Sequence, residues 1–152
     1  MLLVFPPAAR STEPPLSLAR LAAFLGADAR CLDLNREGID YLLRKNVDST
    51  DSDTWTRNAL RRRDLSARVI RDLAAYAKPD RYRRAVLDLN RALKAVSADA
   101  CAGVEAGLAD YRDAGLSPTR RSDLLAAARD FETNIYHPLF SARIEEELRL
   151  AS

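Results

Sequence analysis

Leu2-Leu3-Val4-Phe5-Pro6-Pro7-Ala8-Ala9-Arg10-Ser11-Thr12-Glu13-Pro14-Pro15-Leu16-Ser17-Leu18-Ala19-Arg20-Leu21 is the stretch on which the fold turns. It opens with an apolar run of strand length, then breaks into two proline pairs that bracket a small polar loop. The chain resumes as a helix, Leu16 to Leu25, in which Leu18, Leu21, Ala22 and Leu25 recur at the spacings of a packed face. Gly26 tolerates the positive φ of a helix C-terminal cap. A second short apolar segment, Ala29 to Leu34, ends in Asp33-Leu34-Asn35 and predicts a strand over Arg30-Cys31-Leu32-Asp33-Leu34. Strand, loop, helix, strand is the beginning of an open parallel sheet. Ligands of such sheets bind at the loops that leave the carboxyl ends of strands. The loops after the two strands are therefore the candidate site.

Composition bounds the rest. A chain of 152 residues suits one domain and can bury about 70% of its unfolded surface. Few glycines beside abundant Ala, Leu and Arg tilt the expectation towards helix. A net charge of +2 is too small to argue for nucleic acid. Two cysteines, Cys31 and Cys101, fit a reducing compartment. No basic region precedes a long apolar run with a small-residue cleavage site, so no export signal is expected. No stretch approaches the ~18 apolar residues of a membrane span. A cytoplasmic, mostly helical protein with no membrane partner is the expectation.

Beyond Asn35 the apolar pattern is helical and predicts no further strand. Arg36 to Lys45 carries Ile39, Leu42 and Leu43. Asn46 to Thr54 reads as a loop in which Asp53 or Thr54 caps the next helix. Its aspartates lack the glycine and the terminal glutamate of a calcium loop, so no metal is expected there. Leu65, Val69, Leu73 and Tyr76 form a stripe ended by Lys78-Pro79, and Tyr82, Val86, Leu89, Leu93 and Val96 form a second after Asp80. Ala100, Val104, Leu108 and Tyr111 form a third, stopped near Gly115. Ser117-Pro118 is read as opening a helix whose buried face is Leu124, Ala128, Phe131 and Ile135. His137-Pro138 breaks the chain before a last helix marked by Phe140, Ile144 and Leu148. The fold class is thus mostly α with an N-terminal β-α-β unit over 1–35, and a helical region over 36–152 packed on it as a single unit. Two parallel strands alone leave unpaired edges, which the helices, a partner chain or further chain must cover.

Several chemistries lack their residues. No Ser/His/Asp set, P-loop or Gly-x-Gly-x-x-Gly is present. Arg61-Arg62-Arg63, Arg81, Arg83-Arg84 and Arg120-Arg121 interleave with Asp64, Asp72, Asp80 and Asp88, as on a solvated helix face, so no nucleic-acid partner is expected. Glu145-Glu146-Glu147 reads as a solvent-facing run. Cys31 reads as a small buried strand residue and Cys101 as a helix-face residue.

The opening, with its apolar strand, Pro6-Pro7, and Glu13 before Pro14-Pro15-Leu16-Ser17-Leu18-Ala19, resembles the start of cobalamin-binding radical SAM proteins. Asp33-Leu34-Asn35 resembles the end of their second strand. Leu124 to Leu148, with Ala126-Ala127-Ala128-Arg129-Asp130-Phe131-Glu132-Thr133-Asn134 and Pro138-Leu139-Phe140, is similar to helices that some of them insert after it. The resemblance implies a partial Rossmann-like, cobalamin-binding-type α/β domain followed by a helical insertion of about five or six helices. It also implies cobalamin as cofactor and a cytoplasmic, S-adenosyl-L-methionine-dependent parent enzyme with an iron-sulfur centre. The family's Cys-x-x-x-Cys-x-x-Cys motif, which holds three irons of a [4Fe-4S] cluster, is missing here, since the chain has only two cysteines. The cluster and S-adenosylmethionine therefore belong only to a longer parent. The chain alone is not expected to be catalytic, and no catalytic or metal residue is assigned. Asp-x-His-x-x-Gly, the lower-ligand signature of many cobalamin domains, is absent too. The single histidine, His137, reads as structural, and some family members bind cobalamin without such a ligand.

On this reading Pro6, Pro7, Ser11, Thr12, Glu13, Pro14, Pro15, Asp33 and Asn35 line one side of the cofactor crevice. Prolines stiffen the loop, Ser11 and Thr12 offer hydroxyls, and backbone amides at the first helix can meet an anionic or amide-rich ligand. The alternative is that the prolines only shape a turn and that Asp33 or Asn35 caps the following helix. Two functions follow. The first is the N-terminal accessory part of a cobalamin-binding radical SAM enzyme, cut from it or encoded separately, whose partner is the remainder of that protein. The second is a standalone helical protein-interaction module with no cofactor, whose sheet edge pairs with a partner chain.

Overall fold

A computed structural model describes residues 1–5, 16–48 and 52–151. Strand β1, Leu2–Phe5, pairs in parallel with β2, Arg30–Asp33, in the register Leu2↔Arg30 to Phe5↔Asp33. Helix α1, Leu16–Leu25, lies between them in the chain and ends at Gly26, whose φ of 67° suits a residue without Cβ. The β-α-β opening predicted for residues 1–35 is therefore present. Its packing is thinner than the sequence implies. Of the predicted α1 face only Leu18 is buried, Leu21 is exposed, and Phe24 is 88% exposed. In β2, Leu32 points inward and Cys31 outward, so Cys31 is an exposed thiol and not the buried strand residue expected.

Asp33 turns the chain directly into α2, Leu34–Arg44. Helix α3, Thr54–Arg71, starts at the expected cap: Asp53 Oδ1 accepts from the amides of Trp55 (2.7 Å) and Thr56 (3.1 Å). A 3₁₀ turn over Leu73–Ala77 leads to α4, Pro79–Ala100, with Pro79 in the first turn. Helices α3 and α4 fold back on each other and make the most extensive contact between elements. Small residues permit it, because Ala59, Ser66 and Ala67 of α3 and Ala85 and Ala92 of α4 are all buried. The stripe predicted through Leu65, Leu73 and Tyr76 is exposed, and only its Val69 is buried. Asp72 ends α3 and caps the 3₁₀ turn by accepting from Ala74 N (3.0 Å), so that stripe spans two elements with different directions.

The largest departure lies after α4. Residues predicted as a third helical stripe form an antiparallel hairpin, β3 (Val104–Ala106) with β4 (Tyr111–Asp113). Helix α4 ends at Ala100, where Cys101 turns extended, and Gly103 at φ 87° precedes the first strand of the hairpin. At Gly107 a Cβ would meet Asp110 Oδ1 at 2.6 Å and Asn90 Oδ1 at 3.1 Å. Val104 and Ala106 are buried while Glu105 is exposed, the period-two alternation of a half-buried strand. Two α4 side chains stitch the hairpin down: Ser97 Oγ accepts from Ala106 N (2.9 Å) and Asn90 Oδ1 from Leu108 N (2.8 Å). Cys101 follows α4 as its C-terminal cap, half-buried against the core, rather than on a helix face.

Ser117-Pro118 forms a turn and does not open a helix. Helix α5 starts later, at Arg121, and ends at Arg129. Ser117 N donates to Asp123 Oδ2 (3.0 Å), which spends that carboxylate on the turn. Leu124 and Phe131 are exposed, and of the face predicted there only Ile135 is buried. His137-Pro138 opens α6, His137–Ala151, instead of breaking the chain, since a proline in a first turn forfeits no helical hydrogen bond. The core unites Leu42 and Leu43 of α2, Ala67 of α3, Leu89, Ala92, Leu93 and Val96 of α4, the hairpin's Val104, Ala106 and Leu108, and Ile135 with Tyr136. The architecture is mostly helical with a small parallel two-stranded sheet at the N-terminus. Among the described residues no helix is long and apolar enough to cross a membrane.

Candidate functional site

Parallel pairing of Phe5 with Asp33 brings the carboxyl ends of β1 and β2 side by side. Phe5, the end of β1, thus lies beside Asp33 at the N-terminus of α2, where helix amides favour anions and hydrogen-bond acceptors. Pro6, Pro7, Ser11, Thr12, Glu13, Pro14 and Pro15 lie outside the described residues. Asp33 and Asn35 are described and sit at that strand exit. Asp33 Oδ1 accepts from Arg36 N (3.1 Å), so this carboxylate is the helix cap that its position suggests. Asn35, in the first turn, is only 5% exposed, and no hydrogen bond joins its amide to another described residue. Burial of an amide at a strand exit is uncommon for this residue type.

His137 is occupied elsewhere. Its Nε2 lies 3.0 Å from Ser141 Oγ, one turn along α6, and its ring meets Phe131 edge-on with centroids 5.2 Å apart. Among the described residues no group of three or more His, Cys, Asp or Glu side chains could hold a metal. Cys31 and Cys101 are free thiols in separate parts of the fold.

Two depressions lie away from the strand exit. A cleft of about 620 Å³ opens between the hairpin and α5, lined by Cys101 and by the apolar Val104, Tyr111, Leu116 and Leu124. Burial, and secondarily the charge of Asp113, pushes the Tyr111 phenol above its ordinary value. Behind it Tyr136 is pushed up to about 12, chiefly by burial. The rings of Tyr111, Tyr136 and Phe140 follow one another at 5.9 Å spacings and carry packing from the hairpin to α6. A shallower groove of about 400 Å³ lies between α2 and α3, where Arg71 pairs with Asp40 and the exposed Arg44 and Arg68 line the walls. Sequence reasoning missed the first cleft because it read residues 100–111 as helix; the alternation of Val104-Glu105-Ala106 between Gly103 and Gly107 is the signal that marks it.

The glutamate run also differs from expectation. Glu147 is only 11% exposed and pairs with Arg30 (2.8 Å) and Arg143 (3.7 Å), while Glu146 pairs with Arg143. Arg143 further donates from Nε to Glu37 Oε2 (2.7 Å) and from Nη2 to Glu37 Oε1 (3.3 Å). These hydrogen bonds, that to Glu37 first, raise the guanidinium above its ordinary value. Comparison with protein-family models, curated proteins and solved structures gives no match.

Proposed function

We propose that residues 1–35 are the opening β-α-β of a Rossmann-like, cobalamin-binding-type domain, and that the chain is the accessory, non-catalytic N-terminal part of a radical SAM enzyme. The observation that carries this reading is the parallel β1–β2 register, which sets Phe5, the end of β1, beside Asp33 at the α2 N-terminus. Asn35 supports it as a buried amide at that exit. Asp33 serves as the cap that holds the turn. With His137 held inside α6, cobalamin would bind without a lower ligand from this histidine. The cofactor would supply corrin-based methyl or radical chemistry in the parent, together with a [4Fe-4S] cluster and S-adenosylmethionine bound elsewhere. This chain's own share would be one wall: the loop of Pro6, Pro7, Ser11, Thr12, Glu13, Pro14 and Pro15, and the amides around Asn35. Further strands, from the remainder of the protein, would cover the sheet edges.

The test is a hydroxocobalamin titration of the complete gene product that contains this chain, followed in the visible spectrum. A saturable spectral change is expected, and Asn35→Ala should weaken binding roughly tenfold through one lost buried hydrogen bond. A complete product that lacks a three-cysteine motif and leaves the spectrum unchanged would overturn the reading. The second reading, a helical interaction module whose sheet edge pairs with a partner, is favoured by the exposed Leu21 and Phe24 of α1. It predicts co-purification of a stoichiometric partner with no chromophore.

A further inference from the structure

Helix α6 is attached to the molecule in two different ways along its length. At its start it grows out of the core: Ile135 and Tyr136 are buried, Tyr136 N donates to Asn134 Oδ1 (2.9 Å), and Phe140 stacks on Tyr136. Further along, the apolar positions Ile144 and Leu148 are exposed, and no residue between 137 and 150 is buried. Among the described residues, that half is tied to the rest of the fold by ion pairs. Arg143 grips Glu37 with two hydrogen bonds and pairs on its own helix with Glu146 and Glu147. Glu147 reaches on to Arg30. Arg30 opens β2 and Glu37 lies in the first turn of α2, so both anchors flank Asp33 and Asn35 in the chain.

We propose that α6 is a strap anchored at Asn134–Tyr136 and latched onto the β2–α2 segment by the Arg143–Glu37 and Arg30–Glu147 pairs, and that it opens as a unit without unfolding the core. Isolated exposed ion pairs hold little, yet a two-point Arg–carboxylate grip joined to a second pair is the geometry in which such contacts count. Packing sets the contrast, because apolar burial resists salt and ion pairs do not. An opened strap bares Arg30 at the start of β2 and Glu37 in the first turn of α2. The inference stands on the ion-pair geometry and does not depend on the cofactor reading.

Amide hydrogen exchange of the unmodified chain tests it. Between about 0.02 M and about 0.5 M salt the screening length shrinks from ~20 Å to ~4 Å. Amides of 141–150 should then exchange faster by roughly fivefold while those of α4 hold their rate. Arg143→Gln and Glu37→Gln should each produce a similar acceleration at low salt, and the double variant should add little to either. Exchange of 141–150 that ignores both salt and Arg143→Gln would overturn the latch. Equal acceleration in α4 would overturn opening as a unit, since the whole chain would then be loosening. Fully multiplicative effects of the two substitutions would overturn the pairing.

Discussion

Helices α4 and α6 present similar patterns on paper and behave differently in the fold. Each carries large apolar residues at helical spacing, Leu89, Leu93 and Val96 in one and Phe140, Ile144 and Leu148 in the other. In α4 the leucines are wholly buried; in α6 Ile144 and Leu148 are exposed and Phe140 is only partly covered. What separates them is the company around the stripe. Ala85, Ala92 and Ser97 give α4 a surface that α3 and the hairpin can approach closely. Around Ile144 lie Arg143, Glu146 and Glu147, which meet Glu37 and Arg30 instead of an apolar wall. Apolar spacing states that a helix can pack, and the small residues beside it decide how deeply.

The largest test of that contrast is a pair of leucine truncations. Leu93→Ala should cost about 3 kcal/mol of stability, since a fully buried leucine leaves a cavity on deletion. Leu148→Ala should stay within about 0.5 kcal/mol, as is usual at exposed positions. Urea unfolding reads both. Comparable losses at the two sites would erase the distinction between core helix and strap.

Next in size is the hydrogen bond that fastens the hairpin to α4. Ser97 Oγ donates to Lys94 O (3.1 Å) and accepts from Ala106 N (2.9 Å), at a site with no solvent exposure. Ser97→Ala strands the Ala106 amide and should cost about 1–3 kcal/mol. Faster exchange at 104–113 with α3 unaffected would locate the loss in the hairpin. An unchanged stability would mean that the apolar wall of Val104 and Ala106 alone holds the hairpin.

How far the sequence speaks follows from the same physics. The β-α-β opening was legible because one short apolar run, one helix stop at Gly26 and one Asp33 cap each mark a boundary locally. The Asp53 cap and the α4 stripe were legible for the same reason. The hairpin was not, because Ala100, Val104, Leu108 and Tyr111 fit a helical period by coincidence. What overrides that period is the pair Gly103 and Gly107, together with hydrogen bonds from the hairpin amides to Ser97 and Asn90 that only the folded chain reveals. Leu65, Leu73 and Tyr76 misled because Asp72 bends the chain between them. At the candidate site, Asp33 was legible as a cap, whereas the burial of Asn35 was not. The Arg143–Glu37 grip joins two ends of the chain, and no local pattern announces it.

Alkaline pH probes the aromatic link between core and strap. Burial holds the Tyr136 phenol neutral up to about 12, against an ordinary value near 10. A group whose pKa is raised by folding adds stability that is full below its unfolded value and fades as pH climbs towards its folded one. Between pH 10 and about 12 the chain should therefore lose about 2 kcal/mol. Tyr136→Phe should flatten that slope, leaving the smaller share of Tyr111 and Tyr82, which are also raised. A slope indifferent to Tyr136→Phe would place the alkaline transition elsewhere, and Tyr136 would no longer mark where packing ends and the strap begins.

Acid pH probes the opposite case, an exposed cap on a helix that packing already secures. The hydroxyl and amide of Thr56, then the amide of Trp55 and the charge of Arg91, hold the Asp53 carboxyl below its ordinary value. A depressed carboxyl adds stability above its unfolded value, near 4, and loses it as pH falls through the folded one. Asp53→Ala should lower the melting temperature at neutral pH, and the gap from the unmodified chain should narrow as pH falls below the ordinary carboxylate value. Asp53→Asn retains a cap acceptor that does not titrate, so its melting curve should vary less with pH across that range. The effect should be the smallest of the set, because α3 lies along α4 over most of its length and a frayed first turn leaves that contact intact. A gap that persists unchanged into acid would show that the Asp53 side chain acts through something other than its charge. A melting loss as large as that of Leu93→Ala would mean that α3 depends on its cap as α6 depends on its latch, and α4 would lose its standing as the helix around which the rest is packed.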